Sequence, residues 1–151
     1  MKPSKQLIRT FFDTKKIAVA GVSRDSKKFS NTVFRELKEK GFDVYPINPN
    51  VDTIQGVACY HSVSALPADV SSLLIVTPKL HTLELLKEAV SKGLRNIWIQ
   101  QMSETPETIA YVKSQNLNLI MKQCILMYAE PVIGFHKFHR TIKKIFGLLP
   151  K

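Results

Sequence analysis

The stretch Ile17-Ala18-Val19-Ala20-Gly21-Val22-Ser23 decides how this chain is read. Four apolar residues run without polar alternation into a glycine, and a lysine-bearing loop then leads to an amphipathic segment opening near Ser30. An unbroken apolar run suits a strand covered on both faces, as in a parallel sheet with helices above and below. Strand, glycine turn and helix start follow in that order. The free N–H groups and positive dipole end of a helix N-terminus attract phosphate, and glycine lets an anion approach the backbone. Gly21 to Asn31 is therefore a candidate site for a nucleotide-type ligand, with a plain crossover turn as the alternative.

The flanking segments extend the pattern. Leu7, Ile8, Phe11 and Phe12 stand at helical spacing between Ser4 and Phe12 and predict a short packing helix. Val33, Phe34 and Leu37 form the stripe of a second helix, with Ser30 as its expected cap and Gly41 as its stop. Asp43 to Ile47 reads as a second strand, ended by Asn48-Pro49-Asn50. From Val51 to Pro67 the pattern weakens: Val57-Ala58-Cys59-Tyr60 is strand-like, and Ser62 to Leu66 a turn or helical piece. Ser72 to Pro78 predicts a third strand, Thr82 to Gly93 a helix, and Asn96 to Ile99 a fourth strand. Thr105-Pro106-Glu107 is a sharp helix start, with a cap residue, a proline at the first helical position and an acid in the first turn. That helix is expected to end near Asn116, and Asn118 to Met121 to form a fifth strand.

Five apolar strands separated by helices predict an α/β fold: a doubly wound, five-stranded parallel sheet in a single domain over residues 1–151, with its core at 15–125. Ligands of such sheets bind beyond the carboxyl ends of the strands, where strand order reverses. The loops facing that crevice are Gly21 to Ser30, Pro46 to Asn50, Val76 to Lys79 and Gln100 to Ser103. Past Tyr128, Phe135, Phe138, Ile142, Ile145 and Leu149 recur at helical spacing opposite Lys137, Arg140, Lys143 and Lys144. This predicts an amphipathic C-terminal helix within 129–151, held by its apolar stripe. A homodimer contact or an anionic surface are its alternative uses.

Composition narrows the function classes. With 44% hydrophobic and 23% charged residues the chain belongs with folded globular proteins. No apolar run approaches the roughly 20 residues of a membrane span, and no signal-peptide core follows Met1-Lys2-Pro3, so a cytoplasmic protein is expected. The net charge of +10 favours anionic partners. It sits in scattered pairs, Lys15-Lys16, Lys27-Lys28 and Lys143-Lys144, without a basic stripe interleaved with aromatics, so nucleic acid is not expected. Cys59 and Cys124 are too far apart for a zinc knuckle, and His136 with His139 lacks a third ligand, so no metal is expected. Cys59, with His61 nearby, is read as structural rather than nucleophilic. The dinucleotide fingerprint Gly-x-Gly-x-x-Gly is missing, as is an acid after the second strand.

Taken in order, Gly21-Val22-Ser23, Lys28, Ser30 and Val33, Tyr45-Pro46-Ile47-Asn48-Pro49, Val76-Thr77-Pro78, Ile97-Trp98-Ile99-Gln100 and Met121-Lys122-Gln123-Cys124 resemble the stand-alone CoA-binding domain proteins. These are similar in turn to the N-terminal CoA-binding domain of the succinyl-CoA synthetase alpha subunit. The resemblance covers roughly residues 15 to 125 and implies a Rossmann-like fold holding the nucleotide part of coenzyme A or an acyl-CoA. By that likeness Gly21, Val22, Ser23, Lys28 and Ser30 meet phosphate and ribose, Pro46 and Asn48 border the adenosine end, and Val76, Thr77 and Pro78 line the pantetheine path. Gln100 belongs to the same set, although Gln100-Gln101-Met102 departs from the Gln-x-Gly of those proteins. The synthetase's catalytic histidine lies in a second domain outside the resemblance, which favours binding of a small-molecule CoA ligand without catalysis. An oxidoreductase using NAD or NADP and a structural or interaction protein are the alternatives.

Overall fold

In the structure, a computed structural model that describes residues 2–131 and 134–145, the strands are β1 (Lys16–Ala20), β2 (Asp43–Ile47), β3 (Thr53–Ile54), β4 (Val57–Ala58), β5 (Ser72–Ile75), β6 (Asn96–Gln100) and β7 (Asn118–Gln123). The helices are α1 (Lys5–Asp13), α2 (Phe29–Glu39), α3 (Lys79–Lys92), α4 (Pro106–Lys113) and α5 (Gly134–Ile145), with a 3-10 turn at Ile125–Met127. The main sheet has the order β2-β1-β5-β6-β7 with every neighbour parallel. The chain leaves β1 to one side to form β2, then returns across it to β5, so strand order reverses between β1 and β5. This is the five-stranded Rossmann-like arrangement expected from the apolar runs. Among the described residues no helix is long and apolar enough to cross a membrane.

Alternate residues of the buried strands supply the two faces. Ile17, Val19, Leu74, Trp98 and Ile120 pack with Phe11 of α1 and with Val33, Phe34 and Leu37 of α2. Ala18, Ala20, Leu73, Ile75, Ile97 and Ile99 pack with Leu86 and Ala89 of α3 and Val112 of α4. Local chemistry sets the helix starts. The Ser4 hydroxyl accepts from the Leu7 N–H at 3.1 Å, and the Thr105 hydroxyl from the Thr108 N–H at 3.1 Å ahead of Pro106.

The structure departs from the expectations at several points. The stretch after β2 is an antiparallel β3–β4 hairpin, turned by Gln55 and Gly56 with φ of 51° and 74°, the positive pair that a type I′ turn requires. Helix α3 starts at Lys79 rather than Thr82, because Pro78 takes the N-cap. Helix α2 starts at Phe29 with Lys28 at the N-cap, and Ser30 is a buried second helical residue instead of the cap. Helix α4 stops at Lys113, and β7 continues to Gln123. On α5, Ile142 is half-buried, but Ile145, the last helical residue, is 74% exposed and adds nothing to a buried stripe. The side chains of Phe135, Phe138 and Lys143, and the whole of Leu149, lie outside the described residues.

Trp98 is the centre of the face under α1. Fully buried, it lies 5.4 Å from the Phe11 ring, 5.8 Å from Phe12 and 5.7 Å from Tyr128, and its Nε1–H donates to the Gln123 carbonyl at 3.1 Å. Trp98→Ala is expected to cost about 3–5 kcal/mol of unfolding free energy in urea titration, because a large cavity opens and the Gln123 carbonyl loses its donor. Leu80→Ala, at an exposed position, should stay within about 0.5 kcal/mol of the parent.

Candidate functional site

The crevice at the reversal point is shaped by how closely β1 and β5 approach as they end. Gly21 follows β1 with φ +104°, and a Cβ added there would lie 2.6 Å from the Val76 carbonyl oxygen and 2.8 Å from its carbon. Both contacts are shorter than any side chain tolerates against a fixed backbone, so the two loops cross here only because residue 21 is glycine. The Val76 N–H donates to the Ala20 carbonyl at 2.9 Å and extends the β1–β5 pairing to the floor of the crevice.

The loop from Ser23 to Lys28 is held by one side chain. The Asn31 amide donates from Nδ2 to the carbonyls of Ser23 and Asp25, at 2.6 and 2.9 Å, while its Oδ1 accepts the Ser23 N–H at 2.9 Å. Asn31 is 2% exposed, and all three bonds close the loop back onto the first turn of α2. The Ser23 hydroxyl accepts the Asp25 N–H at 3.1 Å and the Asp25 carboxylate accepts the Lys27 N–H at 3.0 Å. The loop is thus ordered by its own polar groups before any ligand arrives. It delivers Lys28 and the first-turn N–H groups of Phe29 and Ser30, which have no preceding helical turn to bond, to the mouth of the crevice.

Two cavities open there. The larger, about 580 Å³, is lined by Gly21, Val22, Ser23, Lys28, Asn48, Thr77 and Pro78, with His61, His81 and Glu84 on its far wall. The smaller, about 480 Å³, lies toward β6 and is lined by Gly21, Lys28, Phe29, Ser30, Val76, Thr77, Pro78, Gln100, Met102 and Ser103. Gly21, Lys28, Thr77 and Pro78 belong to both, so the cavities meet over the reversal point. A third cavity of about 450 Å³ lies beside α1, between Phe12, Phe42, Tyr128 and Arg140, and holds none of the expected site residues.

Ten of the eleven residues expected from the sequence line one or both of the crevice cavities. The Val22 side chain is fully buried in the core, and its carbonyl accepts the Asn48 Nδ2–H at 2.7 Å. Gln100 is 3% exposed and accepts the Ile125 N–H at 3.1 Å, so it ties β6 to the 3-10 turn as well as bordering the smaller cavity. Pro46 lies elsewhere. It sits inside β2 opposite Val19, on the edge strand where a missing N–H is tolerated, and its carbonyl accepts the Tyr60 N–H at 2.8 Å.

Residues that sequence reasoning passed over complete the frame. Asn31 is one. Thr82 and Ser103 are two more: the buried Thr82 hydroxyl donates to the Ser103 carbonyl at 2.7 Å, and the Ser103 hydroxyl donates to the Thr77 carbonyl at 3.0 Å. These bonds lock the loops after β5 and β6 together. The signal for them was a polar residue set in an apolar helical stripe, as Thr82 is, or at the third position of a helix, as Asn31 is.

Three of the acid–base and thiol groups nearby, Cys59, His61 and Glu88, are engaged in the fold. Burial pushes the Cys59 thiol up from its ordinary pKa, and its S–H points to the Pro46 carbonyl at 3.4 Å. His61 pairs with Asp52 at 3.0 Å, and one Glu88 oxygen accepts from the Ser64 N–H and hydroxyl, both at 2.9 Å. Among the described residues no three His, Cys, Asp or Glu side chains converge as metal ligands, and the side chains of His136 and His139 lie outside them.

Comparison with known proteins places this geometry. A family model described as the CoA binding domain matches residues 15–130. The alpha subunit of ADP-forming acetate–CoA ligase II from Pyrococcus furiosus is 32% identical over 144 residues, which are 93% of this chain and 32% of that subunit. An ADP-forming acetate–CoA ligase II from Archaeoglobus fulgidus is 30% identical over 147 residues, 95% of this chain and 22% of that protein. The chain therefore spans a third or less of the length of these relatives. A solved structure of a conserved hypothetical protein from Pyrococcus furiosus superposes with a TM-score of 0.70 at 37% identity, covering 73% of this chain and 95% of that one.

Asn31→Ala is expected to free the Ser23 amide to exchange with solvent far faster than in the parent, and to cost about 1–3 kcal/mol of stability, since buried loop groups lose their partners. Asn31→Asp keeps the acceptor for the Ser23 N–H but loses both donor bonds, so it should protect Ser23 better than Asn31→Ala and still fall short of the parent. Unchanged exchange at Ser23 in both variants would show that the loop is held by other contacts.

Proposed function

The chain belongs to the CoA binding domain family, and from that premise we propose that it binds coenzyme A or an acyl-CoA through the nucleotide part of the ligand. The observation that carries this reading is the meeting of two cavities at Gly21, Lys28, Thr77 and Pro78. A ligand with phosphates in its middle and dissimilar ends suits that shape. Lys28 supplies a cation, the first turn of α2 supplies N–H groups and the positive end of its dipole, and the overall +10 charge favours arrival of a polyanion. The larger cavity, with Asn48, His61 and His81, takes the adenosine end; the smaller one takes the pantetheine end. That two relatives are named as acetate–CoA ligases supports a CoA thioester as the ligand class.

The site holds its ligand without transforming it. Around the cavities, the described acid, base and thiol groups that are engaged serve the fold: Glu88 caps Ser64, His61 pairs with Asp52, and the Cys59 thiol is kept protonated by burial. A nicotinamide dinucleotide would need a carboxylate at the end of β2 for its ribose hydroxyls. Asn48 stands there instead, and its amide is taken up by the Val22 carbonyl and the Asn50 N–H at 2.7 and 2.8 Å.

Titration calorimetry with CoA, acetyl-CoA, NAD and NADP tests this directly. Binding of CoA or acetyl-CoA, with weak or absent binding of the nicotinamide cofactors, is expected; tight NAD binding with no response to CoA would overturn the reading. Lys28→Ala should weaken CoA binding by roughly ten- to a hundredfold and flatten its salt dependence, because a charge-assisted phosphate contact is lost. Lys27→Ala, whose side chain lines neither cavity, should change affinity by less than about threefold.

A further inference from the structure

Four large apolar side chains are exposed among the described residues: Phe29, Leu80, Met102 and Ile145. Phe29 and Met102 line the smaller cavity, and Leu80 follows two residues after Pro78, which lines it as well. Phe29, at the start of α2, and Met102, in the turn after β6, thus both line the smaller cavity. Met102 adds an independent mark. It is 75% exposed, yet its φ is +71°, a left-handed backbone that glycine adopts freely and an L side chain only at a cost. An exposed thioether offsets none of that cost by packing in the fold. Phe29 is similarly misplaced for stability, as a half-exposed aromatic at the first position of α2, where acids and polar residues favour the helix.

Inside the cavity, polar groups are turned toward one another. Gln100 accepts from Ile125, the Ser103 hydroxyl donates to the Thr77 carbonyl, and the Ser103 N–H donates to the Gln100 carbonyl at 3.0 Å. Beside Lys28, Ser30 and Gln101, the cavity then offers a ligand the hydrocarbon surfaces of Val76 and Pro78, with an aromatic ring and a flexible thioether from Phe29 and Met102.

We propose that the mouth of the smaller cavity, past the pantetheine arm, is an acyl subsite, in which Met102 and Phe29 cover the hydrocarbon chain of the bound thioester and give the protein a preference for acyl-CoA ligands of several carbons over acetyl-CoA. This rests on the CoA-binding reading above. Lys28 and the α2 first turn anchor the phosphates common to all such ligands, and the acyl chain is the part that reaches the apolar mouth.

The test is a calorimetric titration of free CoA, acetyl-CoA and octanoyl-CoA into the wild-type chain and into Met102→Gly and Phe29→Ser. Octanoyl-CoA should bind the wild type at least about tenfold more tightly than acetyl-CoA, the gain expected from burying roughly two methylene groups. Met102→Gly should reduce that ratio to about threefold or less while its urea midpoint stays at or above that of the wild type, since glycine relaxes the backbone at this position. Phe29→Ser should reduce the ratio as well. Equal affinity for acetyl-CoA and octanoyl-CoA in the wild type, or an unchanged ratio in both variants, would overturn the acyl subsite alone. Failure of all three ligands to bind would overturn the CoA-binding reading and the subsite with it.

Discussion

The approach of the Gly21 backbone to the Val76 carbonyl is the constraint on which the rest of the molecule depends. It occurs where β1 and β5 end side by side, at the one place in the sheet where successive crossovers diverge to opposite sides. Divergence leaves a gap between the loops that follow the two strands, and the absent Cβ at residue 21 lets those loops cross at the bottom of the gap rather than fill it. Both cavities are floored by this crossing, and both take their shared residues from its two sides. The site is therefore a consequence of topology first and of side-chain chemistry second.

Side-chain chemistry then makes the gap selective. Asn31 folds the lysine-bearing loop against α2, so Lys28 is presented from an ordered backbone and the ligand does not have to order the loop on binding. Ser103 and Thr82 do the same for the opposite rim, joining the β5 and β6 loops through buried hydroxyls. Different segments of the chain feed the two cavities. The β2 end, the segment after β4 and α3 bring Asn48, His61, His81 and Glu84 to one, whereas the β6 loop and the start of α2 bring Met102 and Phe29 to the other.

The two faces of the sheet carry unequal loads. The face under α1 and α2 is aromatic and centred on Trp98, with Phe11, Phe12 and Tyr128 around it. The other is aliphatic and is covered by α3 and α4. The small residues Ala18 and Ala20 face that aliphatic side, so α3 can lie close to β1 and its first turn, after Pro78, can reach the crevice. In the larger ligases this chain matches over a third or less of their length, the same segment is one part of a longer protein.

The sequence by itself determined the strands, the helices and the class of sheet, because each depends on periodicity within a short window. Ile17 to Ala20, Leu73 to Ile75 and Ile97 to Ile99 are apolar on consecutive residues, as strands buried on both faces are, and Thr105-Pro106-Glu107 carries the cap, first-position proline and acid of a helix start. It also placed the crevice loops, since a parallel sheet offers its ligand site at one end. Only the tertiary structure decided what each side chain does there. Ser30 carries a good capping group yet is buried behind Lys28, while Asn31, one residue on, reaches back to Ser23. Pro46 stands in the strand expected of it, on an edge where its missing N–H has no partner to fail, but it lines neither cavity. The left-handed backbone of Met102 shows in the sequence only as the departure from Gln-x-Gly there, and its exposure at the cavity mouth leaves no trace in the local pattern. Each of these depends on the approach of segments distant in the chain, which periodicity does not encode.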